Sequence, residues 1–223
     1  MADTYYLHPK DPQPERLGRI VQALRAGAVL LYPTDTTYAI GCDLLHKGAI
    51  ERVQRIKRLS NDKPLTFLCP SLSNVATYAR VGDDAYRLMR HLIPGPYTFL
   101  LPATRALPKL VLDPKRRTTG IRVPDHPLCQ ALLVGLSNPL ISTSARSAEG
   151  AEIRYEYELF EALAPVVDGI VELDPSAQDG LLLTQVSTVI DLSGPQPAVV
   201  RRGLGWERAA TFLQRAGYAP EPA

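Results

Sequence analysis

The chain has 223 residues, 45% of them hydrophobic, which excludes a disordered protein and suffices for one large domain or a domain with a small appendage. Its formal net charge of +2 leaves the sign of any partner open, and no apolar run approaches the roughly 20 residues of a membrane span. Cys42, Cys69 and Cys129 are odd in number and lack a Cys-x-x-Cys pair, which argues against a disulfide framework or structural zinc, and His8, His46, His91 and His126 show no ligand spacing. The N-terminal Met1-Ala2-Asp3-Thr4-Tyr5-Tyr6 lacks the charged and apolar regions of a secretion signal, so a cytoplasmic location without a membrane partner is expected.

Leu17, Ile20, Val21 and Leu24 recur at helical spacing, with Gly27 where a helix would stop. The apolar run 28–32 reads as a strand, ended by Pro33, which cannot donate to a sheet ladder. A second helix carries Ile50, Val53 and Ile56, and a strand follows over 65–69. Ser71 can cap a short helix through Leu72, Val75 and Ala76, and Asp83-Asp84 opens another with Ala85, Leu88, Met89 and Leu92 on one face. Pro94-Gly95-Pro96 breaks the chain before a strand over 97–101. The basic loop 113–120 leads into a strand over 121–124, then a helix over 127–134 and a strand over 140–143. After an acidic helical stretch, 169–173 is a strand, and 188–192 with 198–201 form a hairpin across Ser193-Gly194-Pro195-Gln196. A last helix covers 206–215 and the tail to Ala223 frays. Several joints are too short for crossovers, so the reading is an α/β fold with a mixed sheet. No linker divides the chain, which predicts a single domain over 1–223 with a core over 17–203.

Charge is distributed unevenly. Between His46 and Lys63 six Lys/Arg stand against two acids, between Arg105 and Arg122 six stand against Asp113 alone, and from Glu149 to Asp179 nine acids are opposed by Arg154 only. Such basic patches suit a polyanion or a phosphate-bearing ligand, although solvated helix and loop faces give the same pattern.

Four polar clusters sit at strand ends or in the loops beside them. The turn Thr34-Asp35-Thr36-Thr37-Tyr38 crowds hydroxyls and a carboxylate at the carboxyl end of a strand, where open α/β sheets place ligands. A threonine-rich turn capping its own backbone is the plain alternative. The segment from Lys57 to Leu65 sets cations around a helix-to-strand turn, suited to a polyphosphate. Arg122 lies in an otherwise apolar strand and must pair either with a ligand carboxylate or with an internal partner. Ser142-Thr143-Ser144-Ala145-Arg146-Ser147 is a hydroxyl-rich strand exit able to hold phosphate oxygens. Ser187-Thr188 and Arg201-Arg202-Gly203 close this site from the hairpin, or are ordinary strand polarity. No Gly-x-Ser-x-Gly elbow, Walker-type phosphate loop or dinucleotide-binding glycine pattern occurs. Asp35 and Asp62 are the only acids in the four clusters, so a paired-carboxylate mechanism is not expected. Cations with hydroxyls fit positioning and electrostatic catalysis on phosphate.

Six segments occur in the order of the YrdC/YciO family, which the chain resembles from Leu17 to Gly203. They are Pro33-Thr34-Asp35-Thr36-Thr37-Tyr38-Ala39-Ile40-Gly41, Ile56-Lys57 through Lys63-Pro64-Leu65, Pro94-Gly95-Pro96-Tyr97-Thr98, Gly120-Ile121-Arg122-Val123-Pro124, Ser142-Thr143-Ser144-Ala145 and Ser187-Thr188-Val189-Ile190-Asp191. Tyr6-Leu7-His8-Pro9 and the loop 115–120 are similar to the YciO branch. The resemblance implies a YrdC-like twisted mixed parallel/antiparallel sheet flanked by helices, with a large positively charged cavity. Better-known members are threonylcarbamoyl-AMP synthases, which join L-threonine, bicarbonate and ATP into threonylcarbamoyl-AMP with loss of pyrophosphate. The product feeds the threonylcarbamoyladenosine modification of tRNA, and some members bind double-stranded RNA.

Carried over by position, the resemblance sets Thr34, Tyr38, Arg122 and Ser187 around threonine, with Arg122 meeting its carboxylate. It sets Lys57, Lys63, Thr118, Ser144 and Arg201 along the nucleotide, with Mg²⁺ bridging phosphates and no protein metal ligand. Lys57, Arg122 and Ser144 would carry the chemistry. Three departures weaken the expected synthase rate: Lys57-Arg58-Leu59 stands where the synthases carry Lys-x-Arg, Ser144-Ala145-Arg146 where they carry Ser-x-Asn, and Leu68 where they carry a His. The expectation is a YciO-type nucleotidyltransferase, monomeric or homodimeric. The alternative is a non-catalytic module that binds double-stranded RNA or nucleotide through its basic surface.

Overall fold

The computed structural model describes residues 2–57, 65–113, 115–145, 155–174 and 185–218. In chain order the elements are β1 (Asp3–Leu7), α1 (Pro14–Arg25), β2 (Leu30–Tyr32), β3 (Ala39–Asp43), α2 (Lys47–Ile56), β4 (Thr66–Leu68), α3 (Leu72–Tyr78), α4 (Asp83–Leu92), β5 (Tyr97–Pro102), β6 (Thr118–Arg122), α5 (Pro127–Leu136), β7 (Leu140–Ser144), α6 (Glu156–Leu163), β8 (Gly169–Leu173), β9 (Thr188–Asp191), β10 (Ala198–Arg201) and α7 (Trp206–Arg215). The strands form one ten-stranded sheet in the order β1-β8-β2-β3-β7-β4-β6-β5-β9-β10. It is mixed, as the short joints required: β1–β8, β2–β8, β4–β6 and β5–β9 run parallel and the other neighbours antiparallel.

Two strands lie outside the sequence reading. β1 is a sheet edge with Asp3, Thr4 and Tyr6 exposed, so it shows little apolar alternation and depends on parallel pairing to the distant β8. β3 contains Gly41 and ends in Asp43, both poor strand formers, yet antiparallel partners on both sides, β2 and β7, hold it and all five residues are buried. The strand expected over 121–124 instead starts at Thr118 and ends at Arg122, before Pro124.

Side chains alternate between the faces of a sheet, and here the faces are covered unequally. On one face Leu31, Ile40, Phe67, Phe99, Ile121 and Ile190 pack with Val53, Val75, Leu88, Leu92, Leu159 and Leu213 from helices α2, α3, α4, α6 and α7. On the other, Leu30, Tyr32, Leu68, Leu140 and Val171 lie under Ile20 and Leu24 of α1 and Leu132 and Leu133 of α5. Among the described residues, β5, β6, β9 and β10 add nothing to this second core. Among the described residues the two helices pack over the other strands of that face, not over these four. Each fully buried Leu or Phe stabilises the fold by about 1.5–3 kcal/mol. A one-residue slip would exchange Ile121 for Arg122 in the core, so register is tightly set. Among the described residues, no helix is long and apolar enough to cross a membrane.

Candidate functional site

The same face of the sheet holds a cavity of about 280 Å³, reaching from β3, β7 and β4 to β6, β5, β9 and β10. Its described wall comes from the turn after β2 (Thr34, Thr36, Thr37), Ala39 of β3, Leu65 with Thr66 and Leu68 of β4, Thr98 and Leu100 of β5, Arg122 of β6, Ser142, Thr143 and Ser144 of β7, the β9 edge (Val186, Ser187, Val189) and Arg201 of β10. Nine of these residues carry hydroxyls, two are arginines and none is a carboxylate. The volume suits a small polar molecule or part of a larger one.

The turn is built by its own side chains. Thr34 Oγ1 accepts the amide protons of Thr36 (3.2 Å) and Thr37 (3.3 Å) and donates its own proton to the Thr37 carbonyl (2.6 Å). The plain alternative drawn from sequence is therefore real, and the self-capped turn also faces the cavity.

Arg122 finds an internal partner. Its guanidinium donates to Asp35 Oδ1 (2.6 Å) and Thr36 Oγ1 (2.9 Å), while Asp35 Oδ2 accepts the Asp125 amide (3.1 Å). Both charged side chains are only 9% exposed. Arg122 Nε is buried without a hydrogen-bond partner among the described residues. The guanidinium still lines the cavity, with its charge largely cancelled.

The opposite wall carries Arg201, which donates through Nε to the Ser187 carbonyl and through Nη2 to Ser187 Oγ, each at 3.0 Å. Ser187 Oγ in turn lies 3.0 Å from Thr98 Oγ1, so a chain of hydrogen bonds runs from Arg201 into the cavity floor. Gly203 makes this possible. A Cβ there would sit 2.3 Å from the Val186 carbonyl and 2.6 Å from that of Ser187, so only glycine lets the chain cross this close to β9. Val189 pairs with both Thr98 and Arg201, and Thr98 lies one place beyond the Phe99–Ile121 pair, beside Arg122. Three strand spacings thus separate the backbones of the two arginines, about 14 Å.

Thr34, Arg122, Ser144, Ser187 and Arg201, distant in sequence, are brought to one cavity. Thr118 shares the face of Arg122 but sits four residues away along β6, about 13 Å, outside the wall. Lys57 caps the C-terminal end of α2 and is not part of the described wall. Lys63, Arg58 and Arg146 lie outside the described residues.

Tyr38 is a correction. The alternation that turns Ala39 to the cavity sends Tyr38 to the opposite face, where its fully buried ring meets Phe160 edge-on at 5.1 Å. Burial pushes its phenol well above the ordinary range, and its hydroxyl has no hydrogen-bond partner among the described residues.

Thr66 and Thr98 enter the wall although the sequence reading did not select them. Their signal was available: each is a polar residue alternating with a buried Phe, as Arg122 alternates with Ile121.

No nucleophile is poised here. Burial pushes the Cys42 and Cys69 thiols up to about 12, and Cys129, also buried, donates to the Pro33 carbonyl (3.3 Å). The described wall contains no histidine or carboxylate to activate its hydroxyls. Behind the Asp35–Arg122 pair stands His126, whose pKa is held below the ordinary value by burial and by Arg122 against the opposing pull of Asp35. The arrangement can bind, orient and desolvate. Among the described residues no group of His, Cys, Asp and Glu is placed to hold a metal ion.

The family model Sua5/yciO/yrdC, described as telomere recombination, matches residues 22–203. YciO of Escherichia coli strain K12 is 40% identical over 207 residues, covering 92% of this chain and 97% of its own. The crystal structure of E. coli YciO superposes with a TM-score of 0.83 at 39% identity, over the same shares of the two chains. The human threonylcarbamoyl-AMP synthase is 35% identical over 205 residues, 90% of this chain and 72% of that protein. P. abyssi Sua5, in a crystal structure complexed with L-threonine, shares the fold at a TM-score of 0.81 and 22% identity, over 99% of this chain and 65% of that one. The chain belongs to the Sua5/YciO/YrdC family.

Proposed function

We propose that this protein is a threonylcarbamoyl-AMP synthase-like nucleotidyltransferase, joining L-threonine, bicarbonate and ATP into threonylcarbamoyl-AMP and pyrophosphate, at a low rate, in the service of tRNA threonylcarbamoyladenosine formation. The observation that carries this reading is the pair of guanidinium groups at opposite ends of one hydroxyl-lined cavity. That spacing matches a ligand set with a carboxylate at one end and a phosphate at the other. Arg122 takes the amino-acid carboxylate with the N–H groups that Asp35 and Thr36 leave unused, and Thr34 and Ser187 flank it. Ser144 and Arg201 meet phosphate oxygens, with Lys57, Lys63 and Thr118 further along the nucleotide. The described wall offers no carboxylate, so Mg²⁺ would be held by the phosphates.

In this reading the neutral amine attacks the carbon of bicarbonate, a C–O bond breaks and water leaves with the amine proton, and an oxygen of the resulting carbamate then attacks the α-phosphorus of ATP and displaces pyrophosphate. The protein contributes proximity and fixed dipoles, with no covalent intermediate on the chain. Pyrophosphate release measured with ATP, bicarbonate and L-threonine, each omitted in turn, tests the reading: release is expected only with all three. A folded protein that releases none removes it.

One observation favours nucleic-acid binding as a second reading. Asp113 Oδ1 accepts the amides of Lys115 and Arg116, each at 2.8 Å, and Lys115, Arg116 and Arg117 are all exposed beside it, with Arg116 also paired to Asp191 at 3.2 Å. Binding of double-stranded RNA through this loop would weaken steeply with salt; a flat salt response rejects it.

A further inference from the structure

We propose that Asp35 is the specificity-determining residue of this cavity: by cancelling the charge of Arg122, it makes that end of the site select a zwitterion, an α-amino acid, over a plain carboxylate or phosphate. The inference deepens the proposed function and rests on its assignment of an amino acid to the Arg122 end.

An uncompensated guanidinium in a partly dry cavity binds any carboxylate or phosphate, often through two parallel bonds. A cavity that must also admit a triphosphate and bicarbonate would then fill with the wrong anion at this end. Asp35 prevents that. One of its oxygens holds Arg122 and the other is tied to the Asp125 backbone, with both side chains 9% exposed, so the carboxylate cannot swing away. A ligand with a single negative charge meets a neutral unit and leaves a buried net charge behind. A ligand with one charge of each sign leaves none.

The turn beside the pair supplies the other half of the recognition. The Thr34 proton goes to the Thr37 carbonyl, so in the 3.2 Å contact between Thr34 Oγ1 and Thr36 Oγ1 it is Thr36 that donates. Thr36 Oγ1 meanwhile accepts from Arg122. Thr34 Oγ1 is saturated by the Thr36 and Thr37 amides, whereas Thr36 Oγ1, its proton spent and one lone pair taken by Arg122, keeps a lone pair that suits an ammonium. The guanidinium even leaves its buried Nε unpaired among the described residues to keep the geometry that Asp35 and Thr36 impose.

Isothermal titration of wild-type protein and Asp35→Asn with L-threonine, 3-hydroxybutyrate (the same skeleton without the ammonium) and inorganic phosphate tests this. Wild-type protein is expected to bind L-threonine at least tenfold more tightly than 3-hydroxybutyrate. Asp35→Asn is expected to gain at least tenfold for 3-hydroxybutyrate and for phosphate, a gain that a merely structural role for Asp35 would not produce. A folded variant that binds neither anion better than wild type overturns the proposal. If the variant does not fold, wild-type discrimination decides alone, and equal affinity for L-threonine and 3-hydroxybutyrate overturns it. Failure of the amino-acid reading looks different: wild type ignores L-threonine while Asp35→Asn still gains both anions, which refutes that reading and upholds the charge cancellation.

Discussion

Replacing Arg122 by alanine tests the energetics on which the site depends. The substitution leaves Asp35, 9% exposed, with the Asp125 amide as its remaining hydrogen-bond donor among the described residues. Breaking a buried ion pair from one side costs about 3–5 kcal/mol, because the surviving charge has lost both water and partner. In a chain of 223 residues each kcal/mol lowers Tm by about 2–4 °C, so Arg122→Ala is expected to melt about 6–20 °C below wild type. The double variant Asp35→Ala/Arg122→Ala leaves no buried charge, so its cost falls short of the sum of the singles by about 1–3 kcal/mol. Thermal melts with matched urea unfolding of the four proteins complete the cycle. Single variants within 1 kcal/mol of wild type, or costs that simply add, would refute the claim that the two charges are buried and coupled. The cycle also bears on function: loss of pyrophosphate release in Arg122→Ala counts as ligand contact only when measured well below the variant's own melting temperature.

Three further outcomes follow from single contacts. Tyr38→Phe removes a buried hydroxyl without a partner among the described residues, so stability should hold or rise by on the order of 1 kcal/mol, read as an equal or higher Tm, with pyrophosphate release unchanged; a folded variant that loses release would return Tyr38 to the ligand. Gly203→Ala forces a methyl to within 2.3 Å of the Val186 carbonyl, an overpacking cost of about 1–3 kcal/mol, and because the displaced segment carries Arg201 the affinity for ATP should fall with it. A Tm equal to wild type would show that the crossing yields without strain. His126 takes up its proton near 6.5 when unfolded and only at lower pH when folded, so its contribution is complete above 6.5 and is lost as pH falls, by at most about 1.4 kcal/mol per unit. His126→Gln should therefore gain on wild type between pH 7 and 5, and parallel Tm curves would count against the burial of that imidazole.

The clustered polar residues were legible in sequence because polar groups inside apolar strands need a reason. Arg122, Ser144, Ser187 and Arg201 each interrupt a strand pattern, and all four reach one wall. Tyr38 misled because the parity of a residue leaving a turn is set by the strand that follows. β3 was unreadable as a strand, so nothing in the local pattern assigned Ala39 to the cavity and Tyr38 to the core. The partner of Arg122 was hidden for a related reason. Asp35 lies 87 positions away, and only the pairing of β4 with β6 and β7, and of β7 with β3, brings the turn over the end of β6.

The composition of the wall constrains any chemistry done there. Hydroxyls and guanidinium groups hold ligands without attacking them, and the wall residue beside Arg122 in the β4–β6 ladder is Leu68, which can only exclude water. No general base stands among the described wall residues. Rate enhancement would then come from holding reactants in attack geometry, an effect worth about 7–11 kcal/mol when alignment is good. Such a site is sensitive to small displacements. A cavity whose two arginines are fixed by Asp35, Thr36 and Ser187 is built for alignment, and a shift in the backbone that carries either one should reduce turnover more than it reduces binding.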